Sequence, residues 1–552
     1  MAIVKKLLSS FSVYGSETML VLFGLLWLML ALIWVRAKPA GSEQHALALR
    51  WYFSALAALV LTATAWLTVA HIVTPGFFTQ NEYEVPEISW YYMQGHPLYL
   101  PLNSVECYNL PYGPYLYLFA AGILKLFGPS LISVKILLVG AYDLLFVILF
   151  LLLKKYLPPS LALVFTGLTA CATLALDKYL GARADPLLCL SVAIGLWAAS
   201  SPNLSGALIF GAALGLAVNL KIHSVLYFLP AVAVAFRAKY TLKQWLATGF
   251  AALCLVIIPF VAFPNISLAN YLSEIKVMAN QGVGATEFRG VLAGAFYLLM
   301  PFGLLALVAW RQNASAATGA LQKNALLIGS VLASLLIVAI PASKVGAGGH
   351  HLEPWMISLP YLAARLYQDG FAKSESFLPG WTVVCLATWV LSCFSVGYSR
   401  LINIHHWLNS EVEARAVDAD ISRLITQYQK KYVLQMGVGN VETFPETFHR
   451  LTLIFADMPI GIDPVALADF KRGGYSTPDL TALSTELGGP QKKPLLWLIP
   501  KGTPPFSLPS VFPPFDSLYD DHFRFTFAHD YKLMATSDYF DLYTSPNLQV
   551  SH

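Results

Sequence analysis

Long apolar runs alternate with short polar connections from the N-terminus to about residue 400. Uncharged runs of about 20 residues are long enough to cross a bilayer as helices. The pattern therefore predicts about twelve spans. They lie at 19–36, 51–71, 131–153, 159–178, 185–200, 204–220, 223–237, 243–263, 291–310, 324–341, 353–368 and 379–398.

An outer loop at 72–130 separates the second and third predicted spans. Within it, the stretch 113–127 is apolar but short for a span. A helix of that length is predicted to lie along the membrane surface. The first run, at 19–36, is too long for the apolar region of a signal peptide and is predicted to be a retained span.

The pattern changes near Arg400, after which polar and apolar residues mix. Residues 410–432 are predicted to form a helix, because apolar residues recur on one face. Four short apolar runs predict strands at 433–437, 451–456, 495–500 and 523–528. The chain is thus divided into a transmembrane domain, 1–399, and a small α/β extramembrane domain, 400–552.

Composition supports a multi-pass α-helical membrane protein. The 552 residues are 57% hydrophobic and only 12% charged, where soluble domains carry about 25% charged residues, and the mean hydropathy is +0.60. Strands of a membrane barrel would show about ten alternating residues each, and no such pattern dominates here. The net charge of +4 is too small to predict a nucleic-acid partner. Of the six cysteines only Cys107 lies clearly outside the apolar runs, so no disulfide framework is predicted.

The distribution of basic residues predicts the orientation. Loops around 36–50, 154–155, 237–243, 311–323 and Lys373 fall on one side of the predicted membrane, which should be cytoplasmic. Lys5 and Lys6 argue weakly for the opposite orientation. The other face collects the polar stretches 72–130, 176–185, 219–224, 264–290 and 343–354. Ionisable groups near membrane depth usually mark function, so one outward-facing site is predicted there.

Three carboxylates in the outer loop are candidates for a general base. Glu82, Glu84 and Glu87 occur beside several aromatic residues in TQNEYEVPEISWYYMQGHPLYLP, residues 79–101. Partial dehydration by aromatic neighbours would tune the pKa of a carboxylate. On a helix Glu84 and Glu87 share a face, whereas on an extended segment Glu82 and Glu84 do. The alternative is a solvated acidic loop.

A set of basic residues on the same face suits a phosphate on a membrane-embedded tail. The set is Arg183, Lys221, His223, Lys344, His350 and His351. Asp185 could pair with Arg183 or cap the following helix, and Lys344 could simply extend to the interface. His350, His351 and Glu353 lack the spacing of a helical zinc pair. No metal site or cofactor is predicted, although a divalent cation stays an open alternative.

Several of these stretches resemble the GT-C superfamily of integral membrane glycosyltransferases, which includes protein mannosyltransferases and the lipid A aminoarabinose transferase. The stretches are ISWYYMQGHPLY (88–99), YGPYLYLFAAGILKLFGPSLISVKI (112–136), GARADPLLCLSVAIGL (181–196), LGLAVNLKIHSVLYFLPA (214–231) and SKVGAGGHHLEPW (343–355). The resemblance covers roughly 51–400, with an extra span before the usual first one and no aspartate in 72–112.

The resemblance implies transfer of a sugar from a polyprenyl-phosphate donor to an acceptor hydroxyl, with inversion and without nucleotide or redox cofactor. The base would be Glu82 or Glu84, with Glu87 third. Lys221, His223 and Arg183 would bind the phosphate, with His350, His351 and Lys344 as additional candidates. Asp185 and Glu353 would support the site, and Tyr92 and Tyr99, with Trp90 and Tyr91, could stack on sugars. Aromatic residues also favour membrane interfaces for other reasons.

Three alternatives remain at this stage. A membrane transporter would suit the span number, but no inverted repeat is visible. A ligase that uses a pyrophosphate-linked glycan or lipid donor is poorly distinguished from a monosaccharide transferase. The 400–552 domain could also be a binding module on a membrane anchor. The sugar is open, as is the choice among glycan, lipid and protein acceptors. A bacterial inner membrane, with the site and the C-terminal domain on the periplasmic face, fits the sparing use of extramembrane cysteine.

Overall fold

The computed structural model describes most of the chain between residues 43 and 545. The described ranges are 43–74, 76–77, 81–108, 112–176, 181–344, 347, 349–371, 411–440, 445–489, 493–510 and 515–545. The predicted spans 19–36 and 379–398 lie outside these ranges.

The N-terminal part of the described chain is almost entirely helical. Its helices are α1 (Glu43–Val73), α2 (Asn81–Met93), α3 (Pro114–Phe127), α4 (Leu131–Leu153), α5 (Pro159–Leu176), α6 (Asp185–Ala199), α7 (Leu204–Val218), α8 (Leu229–Arg237), α9 (Leu242–Ala262), α10 (Leu268–Ala279), α11 (Ala285–Gln312), α12 (Ala314–Lys323), α13 (Ala325–Ala342), α14 (Glu353–Met356) and α15 (Ser358–Leu366). Short 3-10 segments at Ile222–Phe228 and Gly349–Leu352 precede α8 and α14, and a π-helical turn, Tyr367–Phe371, follows α15.

Five of these helices are apolar and long enough to cross a membrane. They comprise Phe53–Val73 of α1, α4, α9, α11 and α13, and they match five predicted spans. Four other predicted spans, at 159–178, 185–200, 204–220 and 223–237, correspond to shorter apolar helices. The predicted span 353–368 is divided between α14 and α15. The chain is therefore a helical integral membrane protein, while the total of twelve spans stays a prediction.

Local sequence signals explain several helix ends and helix contacts. Asn203 caps α7 by accepting a hydrogen bond from the Gly206 backbone N–H at 2.6 Å. Thr241 and Gln244 form a reciprocal capping box at the start of α9. Gly211 lets α7 approach α9 closely, because a Cβ there would lie 2.1 Å from the Thr248 carbonyl oxygen.

The outer loop contains two helices. The predicted helix at 113–127 is present as α3, which begins with Pro114 at a position where proline is well tolerated, while its location along the membrane surface stays a prediction. Its buried side packs on α2 and α4. The candidate carboxylates lie on α2, so the helical alternative is the one the structure shows.

The C-terminal part combines helices with one sheet. Its elements are α16 (Glu411–Tyr428), β1 (Val433–Met436), α17 (Pro445–Phe448), α18 (Leu451–Phe455), α19 (Pro464–Arg472), α20 (Leu480–Leu487), β2 (Leu495–Pro500), α21 (Asp521–Asp530), β3 (Lys532–Thr536) and β4 (Phe540–Thr544). The strand order is β1-β2-β4-β3, with β1 parallel to β2 and the other pairs antiparallel.

Alternate residues of β2 serve the two faces of this sheet, as a strand buried on both sides requires. Trp497 and Ile499 pack with Phe506 on one face. Leu496 and Leu498 pack with α16 on the other. The predicted helix at 410–432 and the predicted strands at 433–437 and 495–500 are confirmed by α16, β1 and β2.

Two predicted strands were wrong. Residues 451–456 lie mainly in α18, and 523–528 lie in α21. Asp520 caps α21 through the Phe523 N–H at 2.9 Å, and Phe523 and Phe527 bury one helical face while Phe525 is exposed. An apolar run of this length fits the residue period of a strand or of a helix, and the Asp520 cap favours the helix. The strands β3 and β4 were not predicted.

Candidate active site

The three glutamates of α2 are all buried, rather than partly dehydrated as the sequence suggested. Their exposed fractions are 0% for Glu82, 1% for Glu84 and 0% for Glu87. Burying an ionised carboxylate is costly unless it is paired or takes up a proton. The three glutamates differ in the partners that offset this cost.

Glu82 is paired with basic groups of two membrane helices. Its carboxylate lies 2.8 Å from His71 Nε2 of α1 and 3.4 Å from Lys135 Nζ of α4. Lys135 also donates to the carbonyl oxygens of Thr74, at 3.0 Å, and Gly76, at 2.8 Å. These contacts connect the start of the outer loop to α4. They give Glu82 a structural role.

Glu87 is held by an arginine from the C-terminal part of the chain. Arg450 Nε and Nη2 each donate to a different Glu87 oxygen at 2.7 Å, which is a bidentate pair. Burial raises the pKa of Glu87 to about 7, and the charge of Arg450 opposes that rise. Arg450 Nη2 also donates to the Asp463 carboxylate.

Glu84 differs from both neighbours because neither of its oxygens has a hydrogen-bond partner among the described residues. Burial raises the pKa of Glu84 well above its ordinary value. The charges of Asp463, Glu87 and Asp469 raise it further, whereas Arg450 lowers it. A dehydrated carboxylate with free lone pairs and a raised pKa is suited to accept a proton.

The predicted phosphate-binding residues form a second group. Lys221 Nζ donates to Asp185 Oδ1 at 2.7 Å, and Arg183 Nε lies 3.6 Å from Asp185 Oδ2. Asp185 is thus paired and does not act as a side-chain cap for α6. Two buried cations therefore share the carboxylate of Asp185.

Three histidines extend this group. The rings of His223 and His351 lie 5.2 Å apart, and those of His350 and His351 lie 4.7 Å apart. Burial, followed by the nearby charges of Lys221 and other basic groups, lowers the pKa of His350 and His351 well below the usual value. This shift favours the neutral imidazoles, which can offer N–H donors to a phosphate, as the sequence suggested, without adding positive charge.

Tyr112 lies between the carboxylate helix and the cation group. Lys221 Nζ is 5.4 Å from the centre of its ring. Burial raises the pKa of Tyr112, and the charges of Asp185, Arg183 and Glu84 all act on it. The Gly113 N–H next to it donates to the Leu220 carbonyl at 3.0 Å. Charges from both groups of the candidate site therefore act on this residue.

The remaining predicted residues lie at the edges of the site. Lys344 is half-buried, and burial lowers its pKa while Asp469 raises it. Glu353 is buried and accepts a hydrogen bond from the Tyr142 hydroxyl at 2.8 Å. Tyr92 donates to the Pro264 carbonyl at 3.2 Å.

Two of the aromatic rings are enclosed by protein. Tyr99 is buried and donates to the Tyr112 carbonyl at 2.8 Å. Tyr91 is buried and stacks on His96. Stacking of sugars on these rings stays a prediction. Within the described ranges no group of three or more histidine, cysteine or acidic residues could hold a metal ion.

Sequence reasoning missed the partners that distinguish the glutamates. Lys135 carried a signal, since it is the lysine inside the predicted span 131–153. His71, at the end of another predicted span, carried a weaker one. Arg450 and Asp463 had none, because their approach to α2 depends on how the C-terminal part docks.

No family model and no curated protein sequence matches this chain. Solved structures do match. ArnT from Cupriavidus metallidurans bound to undecaprenyl phosphate has 14% sequence identity and a TM-score of 0.53, and the match covers 92% of this chain and 99% of that chain. The apo structure of the same protein has 13% identity and a TM-score of 0.51, over 89% and 98% of the two chains. The chain thus has the fold of these ArnT structures, as the resemblance in the sequence predicted.

Proposed function

We propose that this protein is a membrane glycosyltransferase that moves a sugar from a polyprenyl-phosphate donor to an acceptor hydroxyl, with Glu84 as the base. The observation that carries the proposal is the difference in hydrogen-bond and ion-pair partners among the three glutamates of α2. Glu82 and Glu87 are occupied by basic partners, whereas both oxygens of Glu84 are free of hydrogen bonds from described residues. The ArnT structure with undecaprenyl phosphate supports a polyprenyl lipid as donor carrier.

The chemistry assigns a task to each group. The donor phosphate binds near Arg183 and Lys221, and the neutral histidines donate N–H groups to its oxygens. The acceptor oxygen attacks the anomeric carbon and forms the new glycosidic bond, while Glu84 takes the hydroxyl proton. The bond from that carbon to the phosphate oxygen breaks, and the cations stabilise the departing polyprenyl phosphate. One displacement inverts the anomeric centre.

Orientation is part of the proposal. The loops rich in lysine and arginine support an orientation with the opposite face, including α2 and the C-terminal part, outside the cytoplasm. In a bacterium this is the periplasmic face of the inner membrane. A lipid-anchored donor and an acceptor arriving from outside would meet at that face.

A transfer assay in proteoliposomes tests the proposal. A panel of polyprenyl-phosphate sugars is offered, and released polyprenyl phosphate is measured for wild type, Glu82→Gln, Glu84→Gln and Glu87→Gln. Donor binding is measured in parallel to separate catalysis from folding. We expect Glu84→Gln to bind donor and to lose turnover by about 10²-fold or more, the contribution typical of a general base.

Other outcomes would redirect the assignment. Full turnover by Glu84→Gln would remove Glu84 as the base. Release of polyprenyl pyrophosphate would indicate a ligase, and movement of a solute without any lipid product would indicate a transporter.

A further inference from the structure

The C-terminal part of the chain inserts one guanidinium group into the candidate site. Arg450, between α17 and α18, is 5% exposed. It forms the bidentate pair with Glu87, contacts Asp463, and lies with its guanidinium carbon 4.6 Å from the centre of the Tyr83 ring. Tyr83 in turn stacks on Phe448 at 5.0 Å. The arginine is therefore fixed by contacts on both sides of the domain boundary.

Charges of both signs converge around Arg450. Glu84 and Glu87 come from α2, and Asp463 and Asp469 come from α19 at its start and middle. The ring of Tyr83 lies beside the guanidinium group, and the charges of Glu84 and Asp469 also act on Tyr112, whereas Lys135 of α4 pairs with Glu82. Of the charges that act on Glu84, those of Asp463, Glu87 and Asp469 are negative and that of Arg450 is positive.

We propose that Arg450 is a positioning residue for the transfer reaction: it fixes α2 through Glu87 and supplies the positive charge that offsets the carboxylates of Glu87 and Asp463 beside the base. This inference rests on the proposed function. It makes the C-terminal domain a part of the active site, because the group that offsets the carboxylates of α2 comes from that domain.

Removing the guanidinium has a defined electrostatic consequence. Glu87 and Asp463 lose their shared cation, so the negative charge around Glu84 is no longer offset. The pKa of Glu84 then rises, since Arg450 lowers it in the native protein. The ionised base then forms only at higher pH. The acid limb of the rate profile, where the rate falls as the pH decreases, therefore moves to higher pH. A loss of packing alone would lower the rate by the same factor at every pH.

The experiment compares the pH dependence of transfer in the full-length protein for wild type, Arg450→Gln, Arg450→Lys and Arg423→Gln. Arg423 is a matched control, because it pairs with Asp420 in the same domain and is half exposed. We expect Arg450→Gln to shift the acid limb upward by about one pH unit or more. Arg450→Lys should shift it less, because lysine keeps the charge but not the bidentate geometry. Arg423→Gln should keep the wild-type profile, and donor binding should persist in all variants.

A double variant isolates the pair with Glu87. In the Glu87→Gln background, Arg450→Gln should produce a smaller shift than in wild type, because the arginine has already lost the bidentate partner that fixes it beside α2. The inference is overturned if Arg450→Gln and Arg450→Lys keep the wild-type profile. It is also overturned if they lose the same factor at every pH. If Glu84→Gln retains full turnover, the base assignment fails instead, whatever the arginine variants show.

Discussion

At the scale of single residues, three glutamates within six positions of one helix have three different environments. Glu82 faces His71 and Lys135, Glu87 faces Arg450, and Glu84 has no hydrogen-bond partner among the described residues. Residue type therefore does not decide which carboxylate can act as a base. The partners contributed by other elements decide it.

The pH profile of the wild-type protein should show the environment of Glu84. A base must be ionised, so the rate falls as the pH drops through its pKa, by about tenfold per pH unit. Because burial and the neighbouring carboxylates raise the pKa of Glu84 above 4.5, the fall of the rate at low pH should begin above pH 4.5. The measurement is turnover at saturating donor across pH, with donor binding at each pH as the control. A rate that stays constant down to pH 4.5 would contradict this prediction.

Lys135 should contribute more to stability than an ordinary lysine does. Lys135→Met leaves Glu82 buried beside His71 without its lysine and releases the carbonyl groups of Thr74 and Gly76. Breaking a buried pair typically costs about 3–5 kcal/mol of unfolding free energy. Thermal unfolding in detergent measures the loss, with the exposed Lys154→Met at the end of the same helix as control. Adding Glu82→Gln should recover part of the loss, and equal melting of both lysine variants would refute the expectation.

At the scale of elements, the start of α3 depends on a close backbone approach. A Cβ on Gly113 would lie 2.2 Å from the Asn219 carbonyl oxygen, two residues before Lys221. Gly113→Ala should therefore push α3 away from the cation group, at about 1–3 kcal/mol of stability, and weaken donor binding. Gly122→Ala in the same helix is the control, because nothing lies within 4 Å of a Cβ there. Donor titration and thermal unfolding of both variants measure the effect, and equal donor affinity would count against it.

The elements also show how far the sequence alone can lead. Long apolar runs such as 131–153 and 243–263 predicted helices at nearly the observed bounds, because a span needs both length and hydropathy. The runs at 451–456 and 523–528 were assigned the wrong period, because a short apolar run fits a strand or a helix. The cluster of carboxylates was visible in the sequence. The difference between Glu84 and Glu87 was not, since it depends on Arg450, which lies 363 residues away from Glu87.

At the scale of the whole molecule, the C-terminal part of the chain contacts both the outer loop and the segment that follows α10. Cys107 of the loop forms a parallel bridge with Ile462, and its N–H donates to the Gly461 carbonyl at 2.9 Å. Gln281 donates to the Asp469 carbonyl at 3.1 Å. Together with the bidentate arginine pair, these contacts hold the C-terminal part against α2 and its surroundings. In the proposed reaction, an acceptor therefore reaches Glu84 beside this part or by displacing it.

The thiol of Cys107 should report this docking. Cys107 is 8% exposed, and burial raises its pKa, so it should react slowly with maleimide in a variant that keeps it as the only cysteine. Gly473→Ala should disturb the docking of the C-terminal part, because the new Cβ would lie 2.1 Å from Val277 Cγ1 of α10. A loss of about 1.4 kcal/mol in docking would speed labelling about tenfold.

A compensating substitution tests whether the contact between Gly473 and Val277 is responsible for the faster labelling. Val277→Ala removes the atom that the new methyl group meets, so adding it to Gly473→Ala should slow the labelling again. Because Cys107 and Gly473 lie in different contacts, a joint response would show that the domain moves as one body on the outer loop. Fast labelling of the wild type would instead mean that the domain leaves α2 spontaneously. In that case the bidentate contact of Arg450 would exist for only part of the time, and the shift of the acid limb expected for Arg450→Gln should shrink in proportion.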